Sequence, residues 1–205
     1  MKFVIFHGSF GHVGDNWFLD IKRRLESLGQ EVIVPQFPVD NWDEITQAGP
    51  EKIPPNQNLQ NWLGVFEDVY KDFKKGEKLC FIGHSLGPLF ILHAVDKYDL
   101  QLEGAIFVAP FLEKLGKSWQ IDLVNKSFYK TNFGFGKLRK LIPVSQVFYS
   151  DDDPYVESNF SLEFAQNLGS RLILVKGGQH MNSEAGYTSF SQVFESCKQI
   201  LRTVV

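Results

Sequence analysis

One stretch of this 205-residue sequence limits the fold more than any other: Leu79 to Leu92, LCFIGHSLGPLFIL. An apolar run enters Gly83-His84-Ser85-Leu86-Gly87 and a second apolar run leaves it. The pattern reads as a buried strand turning abruptly into a helix, with a serine at the bend. In such a turn, a nucleophile elbow, the strand end and the first helical turn lie close together. A side chain two residues before or after the serine would collide, and glycine stands at both places. Pro88 falls in the first turn of the following helix, where a missing amide donor costs nothing and a fixed φ suits the geometry.

The rest of the chain alternates apolar runs with amphipathic segments. Residues 2–6, apolar from Phe3 to Phe6 and followed by His7-Gly8-Ser9-Phe10-Gly11, read as a buried parallel strand ending in a glycine-rich loop. Trp17, Phe18, Ile21, Leu25 and Leu28 recur at helical spacing, with Asp15 or Asn16 as cap and Gly29 as stop. Glu31 to Val34 reads as a second strand. From Pro35 to Asn58 five prolines (Pro35, Pro38, Pro50, Pro54, Pro55) replace any periodicity, so a long loop near the active face is expected. Leu59 to Phe73 is an amphipathic helix and Gly104 to Val108 a fourth strand after the elbow strand. The segment from Ala109 to Leu141 is rich in Phe, Tyr and Trp and structurally ambiguous. Val144 to Tyr149 and Arg171 to Val175 read as the fifth and sixth strands, with helices at Asn159 to Leu168 and Tyr187 to Leu201.

This alternation implies one α/β domain over residues 1–205: three layers, with a mostly parallel, doubly wound six-stranded sheet covered by helices on both faces and right-handed crossovers. A strand order of 2-1-3-4-5-6 puts the switch point between the first and third strands, where the two glycine loops would meet.

Charge and composition exclude several function classes. The net charge is -3, and the basic runs Lys71 to Lys78 and Lys137 to Lys140 are solvated helix faces, so nucleic acid is not an expected partner. The first apolar run is too short for a signal peptide and no stretch approaches a membrane span; a cytoplasmic protein without membrane association is the expectation. Cys80 and Cys197 read as free thiols without a catalytic setting.

Three groups stand at strand ends in the order Ser85, Asp153, His180, which is the order that follows a nucleophile elbow in α/β-hydrolases. A serine hydroxyl is a poor nucleophile until an imidazole accepts its proton, and the imidazole needs a carboxylate to hold its tautomer. His180, after the flexible pair Gly177-Gly178, is the candidate base. Among Asp151, Asp152 and Asp153, the residue before Pro154 has its backbone restricted to extended geometry and so a fixed direction off the strand. Asp153 is therefore the candidate orienter, with Asp151 and Asp152 expected to face solvent or cap the next helix. His84, adjacent to Ser85 on the strand, should point away and anchor the elbow from beneath, and His93 belongs to packing. Leu86 and Ser9 are the candidate oxyanion donors, with Phe10 as the alternative to Ser9. His7, His12 and Asp15 lack a further ligand cluster, so neither a metal nor a cofactor is expected. Phe10, Phe111, Trp119, Phe128, Tyr129 and Phe133 are candidate pocket walls; the five after Phe10 equally suit core packing.

These residues bear a resemblance to the small α/β-hydrolases of the retinoblastoma-binding protein 9 and YdeN family, running from end to end of the chain. It is carried by Asn16-Trp17-Phe18, Gly29-Gln30-Glu31-Val32 leading to Pro35 and Pro38, Asn61-Trp62-Leu63, the elbow, Asp153-Pro154-Tyr155-Val156, and the glycine loop with His180. The resemblance implies a trimmed hydrolase core without the usual N-terminal antiparallel strands, and cofactor-independent serine hydrolysis of a small-molecule ester or amide. It also points to the aspartate before the proline. Acyl transfer with the same three groups, and a binding protein on a hydrolase scaffold, are the alternatives. No protein partner is named by any segment.

Overall fold

The computed structural model describes residues 1–203. Six strands form one sheet: β1 (Lys2–Phe6), β2 (Glu31–Ile33), β3 (Leu79–His84), β4 (Gly104–Val108), β5 (Ser145–Ser150) and β6 (Arg171–Val175). Their order is β2-β1-β3-β4-β5-β6 and every pairing is parallel, as the alternation of elements required. Strands β1, β3 and β4 are buried along their whole length. That is why they read as continuous apolar runs rather than alternating ones.

Side chains alternate across these strands into two cores. Phe3, Ile5, Cys80, Ile82, Ile106 and Val108 pack against α1 (Phe18–Glu26) and the C-terminal helix Ser191–Thr203, through Phe18, Ile21, Leu25, Val193, Cys197 and Ile200. Val4, Phe6, Phe81, Ala105 and Phe107 face the opposite layer, where Trp62, Phe66, Leu89 and Phe164 meet them. Three layers result, with the sheet in the middle.

Four local expectations are corrected. The long loop holds a helix, α2 (Trp42–Ala48), started by Asn41, whose side chain accepts from the Asp43 and Glu44 amides. The ambiguous segment holds two more: α3 being Leu59–Lys71 and α4 the elbow helix Leu86–Tyr98, these are α5 (Trp119–Asn125) and α6 (Phe135–Leu141). The last two helices are α7 (Ser158–Leu168) and α8 (Ser191–Thr203), so the closing helix begins later than Tyr187. Neither Asp15 nor Asn16 caps α1: the Asp15 carboxylate accepts the His12 amide, and the Asn16 side chain accepts the Ser183 amide at 2.8 Å.

Candidate active site

Ser85 sits between β3 and α4 with φ 59° and ψ −107°, a backbone conformation that a side chain tolerates only where its surroundings impose it. The two glycines of the motif allow that turn. A Cβ on Gly83 would lie 2.6 Å from the Pro88 nitrogen, and one on Gly87 would lie 2.6 Å from the Phe6 carbonyl oxygen. The second glycine thus makes room for strand β1 rather than for the elbow's own strand. Ser85 occupies the N-cap of α4, yet its hydroxyl makes no capping bond, which leaves it available for other chemistry.

The strand ends bring the other candidates to the same cleft. His180 and Ser85 both line a cavity of about 400 Å³ at the carboxyl edge of the sheet. The His180 Nδ1 donates to Asp153 Oδ2 at 2.8 Å, and the Asp153 side chain is only 1% exposed. Asp153 Oδ1 accepts the Tyr155 and Val156 amides at 2.9 and 3.0 Å, so both carboxylate oxygens have fixed partners. His180 lies between Gln179 (φ 47°) and Met181 (φ 50°), both in the left-handed region. That strained loop is tied down from several sides. Trp17 Nε1 donates to the Met181 carbonyl at 3.0 Å, and Asn16 holds the Ser183 amide. The His84 Nε2 donates to the His180 carbonyl at 2.9 Å. Burial is the main cause that pushes His84 down to about 3, so it is neutral and serves as a prop, as its position beside the serine suggested.

Asp151 and Asp152 are exposed, as expected, and neither caps α7; each also binds the glycine loop. Asp151 Oδ1 accepts the Gly177 amide at 2.8 Å, and Asp152 Oδ1 accepts the Gln179 amide at 2.7 Å together with the Ser150 hydroxyl at 2.6 Å. These bonds, the Ser150 hydroxyl first, lower the Asp152 pKa. The Gly177 and Gln179 amides thus hold the carboxylates that electrostatic repulsion alone would have scattered, while the Gly178 amide between them donates to the Ser150 hydroxyl.

The loop after β1 lies directly against the serine. A Cβ on Gly8 would come 2.8 Å from Ser85 Cβ, so only glycine fits. His7 locks this loop to the segment from Pro35: its Nδ1 donates to the Gly8 carbonyl at 2.8 Å and its Nε2 accepts the Phe37 amide at 3.0 Å. Burial lowers His7 to about 4. Of the three candidate oxyanion donors, the Phe10 amide is taken by Gln57 Oε1 at 2.9 Å. Among the described residues the Ser9 and Leu86 amides have no protein acceptor.

The walls of the cleft differ from those expected. Phe10 is there, joined by Trp42, Leu115, Ile121 and Tyr155, with Asp15, Asn16, Asn182, Ser183 and Glu184 along a polar side. Phe111, Trp119, Phe128, Tyr129 and Phe133 do not line it. Phe111 and Phe128 are fully buried, Phe128 against Trp62, while Phe133 packs on His93. The Tyr129 hydroxyl donates to Asp122, and Trp119 is exposed on α5. For Phe111, Phe128, Tyr129 and Phe133, the core-packing alternative holds. Asp122 also accepts the Leu115 and Gly116 amides, both at 3.0 Å, so it shapes the chain that presents Leu115 and Ile121. The apolar spacing in α2 and the Ser118 that caps α5 were the available signals.

A parallel sheet with a glycine-flanked serine elbow and a histidine loop at its carboxyl edge defines the α/β-hydrolase class. The chain belongs to the serine hydrolase family, whose model matches residues 4–199. It is similar to the YdeN hydrolase of Bacillus subtilis (strain 168), at 26% identity over 193 residues, covering 93% of this chain and 91% of that protein. The crystal structure of the B. subtilis ydeN gene product superposes with a TM-score of 0.81 at 23% identity, covering 98% of each chain. Est1E from Butyrivibrio proteoclasticus, crystallised with ferulic acid, shares the fold at a TM-score of 0.68 and 16% identity, covering 98% of this chain and 88% of that one. No helix among the described residues is long and apolar enough to cross a membrane.

Proposed function

We propose that this serine hydrolase cleaves carboxylic esters through an acyl-enzyme, with Ser85 as nucleophile, His180 as general base and acid, and Asp153 as the carboxylate that orients the imidazole. One observation carries this reading: the Nδ1 of His180 is held at 2.8 Å by a carboxylate whose other oxygen is fixed by two main-chain amides, and the ring shares the cleft of Ser85. A proton on Nδ1 leaves Nε2 free to accept from the serine. As Ser85 Oγ bonds to the ester carbon, its proton passes to Nε2. The C–O bond to the alcohol then breaks and the alcohol leaves with that proton. Water repeats the sequence on the acyl-enzyme and releases the acid. The Leu86 and Ser9 amides receive the negative charge on the carbonyl oxygen.

A cleft of about 400 Å³ lies near the lower end of the roughly 300–1,000 Å³ spanned by ligand sites, which suits a small or medium acyl group. The walls formed by Phe10, Trp42, Leu115 and Ile121 favour an apolar one. The test is labelling by a fluorophosphonate probe, followed by turnover of p-nitrophenyl esters of increasing acyl length. Ser85→Ala should remove both signals while circular dichroism stays unchanged. A folded Ser85→Ala protein that keeps full esterase activity refutes the mechanism.

A further inference from the structure

The geometry points to Gln57 as a positioning residue for the oxyanion hole, an inference that rests on Ser85 being the nucleophile. Gln57 is fully buried and does not line the cleft, so it cannot meet substrate. Its oxygen must accept the Phe10 amide at 2.9 Å, because a backbone N–H offers no other polarity. That fixes the direction of its side-chain amide. Gln57 Nε2 then donates to Asn125 Oδ1 at 2.9 Å, and the same oxygen accepts the Ser9 hydroxyl at 2.8 Å. The chain of bonds closes on itself: Phe10 N–H to Gln57, Gln57 to Asn125, and Ser9 back to Asn125. Both ends of the Ser9-Phe10 unit are thereby held by side chains from two distant segments, and Asn125 is likewise fully buried. Gln57 is itself secured from behind, since Asp40 Oδ2 accepts its main-chain N–H at 2.9 Å.

Two consequences follow for the chemistry. Phe10 has φ 55°, a left-handed conformation that a phenylalanine adopts only under constraint. The Gln57 bond to its amide supplies that constraint, with the Phe10 ring set edge-on against Trp42 at 5.1 Å. The same bond withdraws the Phe10 amide from any role in charge stabilisation. The Ser9 amide is left as the second donor beside Leu86, in a loop whose Gly8 touches Ser85. Gln57 therefore selects which amide serves the oxyanion and fixes its position.

The experiment compares wild type with Gln57→Met, which keeps the side-chain length without polar atoms, and with Gln57→Glu, which keeps an acceptor for the Phe10 amide. Three readouts are taken: kcat and KM on p-nitrophenyl butyrate, the affinity of a trifluoromethyl ketone that forms a serine-bound oxyanion, and the thermal midpoint. Displacing a catalytic group by about an ångström costs up to about 100-fold. Gln57→Met should thus lower kcat by about 10- to 100-fold with KM changed less than about threefold, and ketone affinity should fall in step with kcat/KM. Gln57→Glu keeps the acceptor for the Phe10 amide but turns an oxygen toward Asn125 Oδ1, so it should recover only part of the lost kcat. If Gln57→Met does not fold, Ser9→Ala takes its place: it removes the hydroxyl anchor, keeps the amide, and should lower kcat by about 3- to 10-fold at constant KM. A folded Gln57→Met enzyme with kcat and ketone affinity within twofold of wild type overturns the assignment, as does the same result for Ser9→Ala. A loss confined to the thermal midpoint also overturns it. Failure of the underlying reading shows separately, as full turnover and probe labelling in Ser85→Ala.

Discussion

Asp153→Asn tests how the carboxylate fixes the imidazole. In the native protein Asp153 Oδ1 accepts two main-chain amides, those of Tyr155 and Val156, at 2.9 and 3.0 Å. An asparagine there must keep its oxygen toward those two donors, so its NH2 group falls where Oδ2 stood, 2.8 Å from His180 Nδ1. Two donors cannot face one another. The imidazole must therefore turn its Nδ1 lone pair to the amide and carry its proton on Nε2, the nitrogen that has to accept from Ser85. Catalysis with the wrong tautomer is slower by about 10⁴-fold, or about 5 kcal/mol of transition-state stabilisation at 1.36 kcal/mol per decade. Little of this should appear in stability, because the two amide bonds survive. Asp152→Asn and Asp151→Asn keep an oxygen for the Gln179 and Gly177 amides and leave the imidazole's partner untouched, so each should reduce kcat/KM by less than about tenfold. All three are measured on one activated ester, with folding checked by circular dichroism. An Asp152→Asn enzyme that is crippled beside an Asp153→Asn enzyme within tenfold of wild type would sink the assignment.

Gly87→Ala should lower the thermal midpoint by about 2 to 12 °C, from about 1–3 kcal/mol of overpacking, because the new Cβ would meet the Phe6 carbonyl at 2.6 Å. Gly14→Ala, where nothing lies within 4 Å, should not, and equal midpoints for the two by calorimetry would count against the packing account. Trp42→Ala, at a half-exposed cleft wall, should shift preference toward longer acyl esters with little change in stability. Phe128→Ala should instead cost about 3–5 kcal/mol in a denaturant titration and leave the ester profile unchanged; the reverse outcome would move the walls back to the aromatic segment. His7 and His84 titrate at about 4 and about 3 in the folded protein, below the unfolded value of 6.5. The unfolded chain therefore binds more protons below pH 6.5, and stability, complete above that pH, falls with acidification by up to about 1.4 kcal/mol per pH unit for each histidine. Urea midpoints that do not move between pH 7.5 and 5 would contradict this.

The amino-acid sequence by itself determined the sheet, its strand order and the place of the elbow, because those depend on local features. Continuous apolar runs make buried parallel strands, glycines at two fixed offsets make the serine turn, and right-handed crossovers leave a handful of orders, of which 2-1-3-4-5-6 brings the two glycine loops together at its switch point. Ser85 and His180 were legible for the same reason, each standing at a strand end beside its glycines. Asp153 was singled out by the proline that follows it. Only the tertiary structure decided how Asp151 and Asp152 are used, since their partners are the Gly177 and Gln179 amides, across the gap to β6. It alone decided which aromatics form the cleft. Phe111 and Phe128 are as apolar as Phe10, but the path of the chain carries them into the layer of Trp62 and Phe90, where burial removes the most surface from water. Gln57 and Asn125 lay beyond sequence reasoning too. A glutamine in a proline-rich loop and an asparagine at a helix end resemble ordinary surface residues until folding buries both, and the Gln57 amide then bonds to the Phe10 N–H and to the Asn125 oxygen, which also accepts from Ser9.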